Sequence, residues 1–277
     1  MFKNKKVISI VTLVILLFTA GGVYAAWGGE PDGDQHPMVG AMFADWDGNG
    51  TITGDEFSCS GSYAGPSDDE QYDVFLTAGH CVIVAPVYGF DKFFVSFDNE
   101  VLDADGPANL IASVDFDWHP GFGHDRGDLH DLGVILLPAG SVTGITPVQL
   151  PPAGFLNDLK ANRTLRDTEI DLVGYGVTPV WRQPGGTQFD FDGVRRNAPG
   201  KINGLTKAYL NFLQNPHATG KGGVCFGDSG SPQFIAGTTS IVSVTSGGNG
   251  NCNANNYNYR LDTRSARDFL GQYLTLP

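Results

Sequence analysis

Apolar residues recur along the chain in short runs that are separated by polar segments rich in Gly and Pro. Short runs with β-branched and aromatic residues predict β-strands. Such runs occur in both halves of the chain, at His36–Phe43, Val74–Thr77, Phe93–Phe97, Ile111–Val114, Val134–Leu137, Ile170–Val173, Ala208–Leu213, Ser240–Thr245 and Tyr257–Leu261. The segment 178–204 has few apolar positions and many Gly, Pro and Asp residues, so a loop is predicted there.

The C-terminal segment has the period of an amphipathic helix, with Asp262 or Thr263 as its cap. The apolar positions of its inner face are Ala266, Phe269, Leu270, Tyr273 and Leu274. Many short strands followed by one such helix fit two packed β-barrels with a C-terminal helix. We expect this order along the chain: a first barrel at about 36–137, a crossing segment at 138–166, a second barrel at about 167–262 and a helix at 263–274.

The first 25 residues differ in composition from the rest. Three lysines among the first six residues precede an apolar run from Val7 to about Ala20, and Ala25 ends a small-residue cleavage site. This order is typical of a secretory signal peptide. An uncleaved membrane anchor is the alternative, but the apolar run is shorter than the ~20 residues that a span needs. We therefore expect residues 1–25 to be removed and residues 26–277 to be secreted to the extracellular space without membrane contact.

Charge and cysteine content narrow the class of protein further. The chain has a net charge of −13, and without its first 25 residues it keeps 14 basic against 30 acidic residues, which gives −16. Such acidity disfavours nucleic acids and anionic membranes as partners. Four cysteines in an exported chain predict two disulfides, for which number alone allows three pairings. Free buried thiols are the alternative, and an oxidising compartment disfavours them.

Candidate chemistry is concentrated in the hexapeptide Gly227-Asp228-Ser229-Gly230-Ser231-Pro232. Its two glycines and its proline disfavour a helix or strand and predict a tight loop that exposes one hydroxyl. A serine alone is a weak nucleophile and needs a base, which an acid must orient. His80, in Leu76-Thr77-Ala78-Gly79-His80-Cys81, is the candidate base. Asp131, which precedes the apolar run Leu132–Leu137, is the candidate acid.

These three segments, in the order His, Asp, Ser, resemble the trypsin/chymotrypsin family of serine proteases, in a bacterial-type secreted member. The resemblance spans nearly all of residues 26–277. It implies two packed six-stranded antiparallel β-barrels with a short C-terminal helix. It also implies that Ser229 attacks the scissile carbonyl, that His80 takes its proton and that Asp131 orients the imidazole. The N–H groups of Gly227 and Ser229 would form the oxyanion hole.

The resemblance implies two further structural features. Among the possible cysteine pairings it selects Cys59–Cys81 and Cys225–Cys252. It also implies that a new amino terminus at Ala26 folds inward and pairs with Asp228, because a buried carboxylate needs a partner. Signal cleavage would then produce the active form directly. Trp27 departs from the family pattern, which has a valine-sized residue at this position.

The resemblance also implies a primary specificity pocket. Its base would be Gly223, six residues before Ser229, and its walls would come from Ser243 to Thr245 and from Tyr257. An aspartate at the base would select Arg or Lys, and none is present here. Because Thr245 and Tyr257 would narrow the pocket, a small or medium apolar side chain is the expected preference.

Residues 45–56 match the twelve-residue EF-hand calcium loop at its key positions: Asp45, Asp47, Asn49, Gly50, Ile52 and Glu56. No amphipathic helix precedes the loop, and Asp-Gly and Asn-Gly are also common hairpin turns. We therefore expect no resident metal or cofactor. If the loop binds calcium, Asp45, Asp47, Asn49 and Glu56 would supply the ligands.

A second polar cluster lies between Gly123 and Asp131: His124, Asp125, Asp128, His130 and Asp131. Its spacing fits no zinc site, so a solvated loop is expected. His36, His119 and His217 are interpreted as surface or packing histidines.

The sequence thus favours a monomeric secreted serine endopeptidase that acts on proteins or peptides. An inert binding protein on the same scaffold and a calcium-binding module at residues 45–56 are alternatives. An esterase would use the same acyl chemistry, but the motif context differs from that of the α/β-hydrolases.

Overall fold

A computed structural model describes residues 26–102, 106–183 and 186–277. The predicted signal peptide at residues 1–25 lies outside these described residues. The strands, numbered in chain order, are β1 (Glu30–Pro31), β2 (Val39–Phe43), β3 (Phe57–Pro66), β4 (Tyr72–Thr77), β5 (Phe94–Ser96), β6 (Ile111–Ala112), β7 (Asp115–Trp118), β8 (Gly133–Pro138), β9 (Ile170–Gly174), β10 (Thr178–Gln183), β11 (Gly186–Asp190), β12 (Arg196–Gly200), β13 (Ile202–Leu205), β14 (Tyr209–Leu213), β15 (Pro232–Ile235), β16 (Ile241–Gly248) and β17 (Asn255–Arg260). The helices are α1 (Gly79–Val82), α2 (Val84–Tyr88), α3 (Phe155–Ala161), α4 (Pro216–Thr219) and α5 (Arg264–Leu270), with 3-10 turns at Gly54–Glu56 and Leu165–Asp167.

The first half of the chain forms one antiparallel sheet of seven strands in the order β6-β5-β2-β3-β4-β8-β7. Successive residues of a strand point to opposite faces, and β8 shows the consequence. Ile135 and Leu137 pack into a cluster made only of first-half residues. Val134 and Leu136 instead join a cluster that also contains residues of the second half. One face of the sheet therefore forms its own core, and the other face packs at the junction of the two halves.

The second half forms an eight-stranded sheet in the order β1-β12-β9-β15-β16-β17-β14-β13. Its own core includes Leu172, Phe212 and Val242. The two curled antiparallel sheets confirm the predicted all-β fold class. The sheets have seven and eight strands rather than the six expected, and the two-residue strands Ile111–Ala112 and Glu30–Pro31 each lie at a sheet edge.

The prediction of a loop over residues 178–204 is wrong. β10 and β11 form a separate two-stranded hairpin, and β12 lies between β1 and β9 in the second sheet. Backbone pairing with β1 and β9 holds β12 in place. Such a strand does not need a run of apolar side chains, which is the signal whose absence led to the loop prediction.

The C-terminal helix packs against the junction of the two sheets. The Thr263 side chain accepts a hydrogen bond from the Ala266 N–H, which confirms Thr263 as the N-cap. Phe269 and Leu270 are buried in the shared cluster. The helix ends at Leu270 rather than at Leu274, and hydrogen-bonded turns continue it past Gly271.

A buried ionic network fixes the start of the described chain. Arg195, 1% exposed, donates to Asp32, which in turn lies 2.6 Å from Nδ1 of His36. The guanidinium also donates to the carbonyls of Val39 and Phe97. His36 is thus a buried packing histidine, one of the two expected possibilities, and its ring lies 4.7 Å from that of Phe234. Buried charges require such partners.

Candidate active site

Two neighbouring strands of the first sheet bring His80 and Asp131 together. β4 ends at Thr77, which lies opposite Gly133 at the start of β8, so the residues just beyond these strand ends are close in space. His80 Nδ1 lies 2.9 Å from Oδ2 and 3.1 Å from Oδ1 of Asp131. The backbone N–H of His80 also donates to Oδ1 at 2.9 Å. A carboxylate only accepts, so Nδ1 carries the proton and Nε2 is left with a free lone pair.

The second sheet also holds the Asp131 carboxylate. Ser246, in β16, donates its hydroxyl to Asp131 Oδ2 at 2.5 Å. The side chain of Asp131 is 3% exposed, whereas that of His80 is 35% exposed and reaches the surface. Sequence reasoning missed Ser246, because it assigned to this strand only a pocket wall, at Ser243 to Thr245.

Ser229 lies between the two sheets. Its carbonyl accepts from the Ser60 N–H at 2.9 Å, and the next N–H, that of Gly230, donates to the Thr245 carbonyl at 2.8 Å. Gly230, at φ +80°, packs so closely against Thr77 that any side chain there would overlap it. Ser229 is therefore held beside the strand end that carries His80. In the described residues, its hydroxyl makes no hydrogen bond to His80. Bonds of this kind are often long in ligand-free enzymes.

The backbone of the hexapeptide loop leaves two donors free. The N–H groups of Asp228, Gly230 and Ser231 all donate to carbonyls. Those of Gly227 and Ser229 donate to no group in the described part of the chain. Gly227 has φ +92°, a conformation that favours glycine, and a Cβ there would lie 2.7 Å from the Phe57 ring. Two free N–H groups therefore flank the buried Asp228 side chain.

The Asp228 side chain is wholly buried beneath the loop. It accepts from the N–H groups of Cys225 and Gly176, each at 2.8 Å. Burial raises the pKa of Asp228 to about 7, although these two hydrogen bonds act in the opposite direction. Gly174 and Gly176 approach the carboxylate so closely that a Cβ at either position would overlap it.

Both disulfides support this region, and both predicted pairings are confirmed. Cys59–Cys81 ties β3 to the residue after His80. Cys225–Cys252 ties the segment before Ser229 to the loop after β16. Each bridge would stabilise the fold by about 2–4 kcal/mol, chiefly by restricting the unfolded chain.

A cavity of about 260 Å³ opens beside Ser229. Residues 224–226 and 245–249 line it, together with Ser229, Cys252 and Tyr257. Thr245 and Tyr257 are thus at the predicted pocket, whereas Ser243 and Gly223 lie outside its lining. Ser243 is wholly buried and donates to Gln233. The wall therefore begins at Thr245, and no charged side chain lines the cavity.

Gly223 packs against the start of the described chain instead of forming the cavity base. Its N–H donates to the Trp27 carbonyl at 3.0 Å. A Cβ on Gly223 would lie 2.7 Å from Trp27 Nε1. Ala26 is wholly buried, and Trp27 packs with the disulfide of Cys225. The N–H of Cys225 in turn donates to the Asp228 side chain. Trp27, the residue after Ala26, therefore packs against a residue that supports the hexapeptide loop.

The loop at residues 45–56 folds around its own carboxylates. Oxygens of Asp45, Asp47 and Glu56 lie within 4.8 Å of one another. The N–H of Asn49 donates to both aspartates at 3.0 Å, and Gly50 has φ +80°. Glu56 is 6% exposed and accepts from two backbone N–H groups. This donor set consists of oxygens, which suits a hard cation such as Ca²⁺.

A model of the family described as Trypsin matches residues 44–270. The chain belongs to this family. Solved structures with the same fold include HL collagenase, at 18% identity over 85% of this chain and 92% of that chain, with a TM-score of 0.58. Human heparin binding protein matches at 15% identity over 88% of this chain and 95% of that chain, with a TM-score of 0.60. No curated protein sequence matches the chain.

As expected for a trypsin-family chain, the described residues form sheets rather than long helices. None of the helices in this part of the molecule has the length and apolar character needed to cross a membrane.

Proposed function

We propose that the chain is a secreted, extracellular serine endopeptidase that acts as a monomer on protein or peptide substrates. One observation carries the proposal. Gly227 and Ser229 leave their N–H groups free, while His80 Nδ1 is bonded to Asp131 and Nε2 is left as an acceptor. A nucleophile, an oriented base and two unused donors are the parts that acyl transfer needs.

In the proposed reaction Ser229 Oγ attacks the carbonyl carbon of the scissile peptide as His80 Nε2 takes the hydroxyl proton. Asp131 stabilises the imidazolium that forms. The N–H groups of Gly227 and Ser229 donate to the oxyanion, a contribution of about 3–4 kcal/mol per donor. His80 then gives its proton to the leaving amine, and an acyl-enzyme remains. Water, deprotonated by the same imidazole, releases the acid and restores Ser229.

Activation is proposed to follow from removal of the signal peptide after Ala25. The new ammonium group at Ala26 would neutralise Asp228, which the fold buries without a cation among the described residues. The burial of Ala26 and the contact of Trp27 with Gly223 support this pairing. N-terminal sequencing of the secreted protein is the test, because a start other than Ala26 excludes it.

The proposed primary preference is a small or medium apolar side chain. The cavity beside Ser229 has an uncharged lining of limited volume, which favours neither Arg nor Lys. A peptide-library profile dominated by cleavage after Arg or Lys would contradict this assignment.

Covalent labelling with a fluorophosphonate tests the activity. We expect the wild type to be labelled and Ser229→Ala to remain unlabelled. Ser231→Ala is the matched control in the same loop and should label, because the Ser231 hydroxyl is buried against Thr245. A folded wild type that does not label would instead favour an inert binding protein on this scaffold. Cleavage of esters but not of peptides would favour an esterase.

The convergence of Asp45, Asp47 and Glu56 favours a second, compatible function, which is calcium binding at residues 45–56. Asn49 would complete the side-chain ligands, and the ion would stabilise the loop. Calorimetric titration with Ca²⁺ of chelator-treated protein should show one site, which Glu56→Gln weakens. Asp55→Asn is the control, because residue 55 is not a ligand position of the loop motif. Absence of heat with the wild type would leave the hairpin-turn interpretation.

A further inference from the structure

Two histidines of the loop before Asp131 are organised by the C-terminal helix. The rings of His119 and His130 stack with centroids 4.5 Å apart and planes 10° apart. Both contact the hydroxyl of Ser265 in α5, His119 through Nε2 at 3.0 Å and His130 through Nδ1 at 2.9 Å. Sequence analysis expected a solvated loop around His130. The structure instead places its ring against the C-terminal helix.

Hydrogen bonding fixes the proton of His119. The Gly121 N–H donates to His119 Nδ1 at 3.0 Å, so this nitrogen is an acceptor and the neutral ring carries its proton on Nε2. Nε2–H therefore donates to Ser265 Oγ. His130 Nδ1 lies 2.9 Å from the same hydroxyl, 3.3 Å from the Tyr259 hydroxyl and 3.4 Å from Asp128 Oδ1. Burial, together with the neighbouring His130, lowers the pKa of His119 and so favours this neutral form.

This cluster of hydrogen bonds includes a residue whose backbone conformation is uncommon. His130 has φ +51°, in the left-handed region that non-glycine residues rarely occupy. Such a conformation persists only where its surroundings hold it. The residue that follows is Asp131, so the turn at His130 sets the direction in which the Asp131 carboxylate leaves the backbone.

Three consecutive residues of this loop are each bonded to a different element of the second half. The Leu129 N–H donates to the Tyr209 hydroxyl of β14 at 2.9 Å. His130 bonds to Ser265 of α5, and Asp131 bonds to Ser246 of β16. The first-half loop is therefore bonded to three elements of the second half, in addition to hydrogen bonds within the loop such as that from the Leu132 N–H to the His130 carbonyl.

We propose that Ser265 and His130 are positioning residues that hold the left-handed turn and thereby aim the Asp131 carboxylate at His80. The consequence for activity rests on the proposed protease function, whereas the consequence for the hydrogen bond between His80 and Asp131 does not. An aligned carboxylate makes a strong, charge-assisted bond to the His80 Nδ1 proton, so loss of the alignment weakens that bond.

Two readouts on the purified protein of residues 26–277 test the proposal. The first is the NMR chemical shift of the His80 Nδ1 proton, which reports its bond to Asp131, and the second is kcat and KM on an apolar peptide substrate. We expect Ser265→Ala to move the Nδ1 proton resonance upfield and to reduce kcat about 10-fold with KM unchanged, as for a misplaced catalytic group. Ser240→Ala is the control, because the Ser240 hydroxyl donates to Gln149 and contacts neither His130 nor Asp131.

Variants of His130 separate the hydrogen bond to Ser265 from backbone strain. His130→Asn keeps a hydrogen-bonding atom near the Nδ1 position and tolerates the left-handed conformation, so both readouts should stay near wild type. His130→Gly relieves the backbone strain but removes the hydrogen-bonding side chain, so it should resemble Ser265→Ala. It also provides the test if Ser265→Ala does not fold.

Wild-type values of both the His80 Nδ1 proton shift and kcat in folded Ser265→Ala and His130→Gly would overturn the proposal. A wild type that fails to label with the fluorophosphonate contradicts the protease function, and the NMR measurement then tests the positioning role independently. In that case an unchanged Nδ1 proton shift in the variants overturns the positioning role as well.

Discussion

Ser246 Oγ lies 2.5 Å from Asp131 Oδ2, the same oxygen that is bonded to His80. Ser246 belongs to β16 of the second sheet, and Asp131 precedes β8 of the first. The carboxylate that orients the imidazole is therefore held across the junction of the two sheets. Correct packing of one sheet on the other is thus a condition for the geometry of the site.

This relationship predicts that Ser246→Ala impairs the site while the fold persists. Loss of the donor leaves a buried carboxylate oxygen with one partner fewer, and we expect fluorophosphonate labelling to slow about 10-fold. Ser243→Ala is the matched control, because it is buried in the same strand but donates to Gln233. Equal labelling rates for Ser246→Ala and the wild type would contradict the role given to Ser246.

Stability should depend on pH through Asp228 when a peptide remains attached before Ala26. Burial raises the pKa of Asp228 to about 7, so the folded chain keeps a proton that the unfolded chain releases at about pH 4. The free energy of unfolding must then fall as the pH rises from about 4 to about 7. A free amino terminus at Ala26 would remove this loss, because the ammonium group stabilises the ionised carboxylate.

Urea unfolding of two inactive Ser229→Ala proteins measures this difference. One begins at Ala26, and the other carries one extra alanine before it. Other titrating groups affect both proteins alike, so the difference between their stabilities should widen with pH across this window. A constant difference would argue against the pairing of Ala26 with Asp228.

Gly176→Ala should disrupt the hexapeptide loop. The added Cβ would overlap the carboxylate of Asp228, and overpacking of this kind costs about 1–3 kcal/mol. We expect a lower melting temperature and little or no labelling. Gly204→Ala is the control, since a Cβ there meets nothing within 4 Å, and it should match the wild type in both measurements. A Gly176→Ala protein with full stability would show that the loop adjusts easily.

Gly223→Asp should destabilise the protein without creating a preference for Arg or Lys. Gly223 lies outside the cavity lining, and its Cβ would approach Gln214 within 2.6 Å and Trp27 Nε1 within 2.7 Å. A carboxylate there would be forced against the packed start of the chain. Melting temperature and cleavage of Arg and apolar peptide substrates are the measurements. Efficient cleavage after Arg by the variant would place Gly223 at the pocket base after all.

Sequence reasoning succeeded for the fold class, which short alternating strands indicate, and for the two disulfides, whose pairing the family resemblance implied. It failed where hydrogen bonds rather than apolar side chains build the element. β12 is the example, because it has no apolar period that a sequence pattern could detect.

The sequence by itself determined the fold class, because strand patterns act over a few positions, and it limited the cap of the C-terminal helix to Asp262 or Thr263. The two disulfide pairings and the proximity of His80 to Asp131 were implied by the family resemblance, and the structure shows both. Only the tertiary structure decided that Ser246 and Ser265 support the Asp131 loop and that the cavity wall begins at Thr245. Those contacts join residues more than a hundred positions apart, and a shift of a few residues in register changes which side chain faces the site.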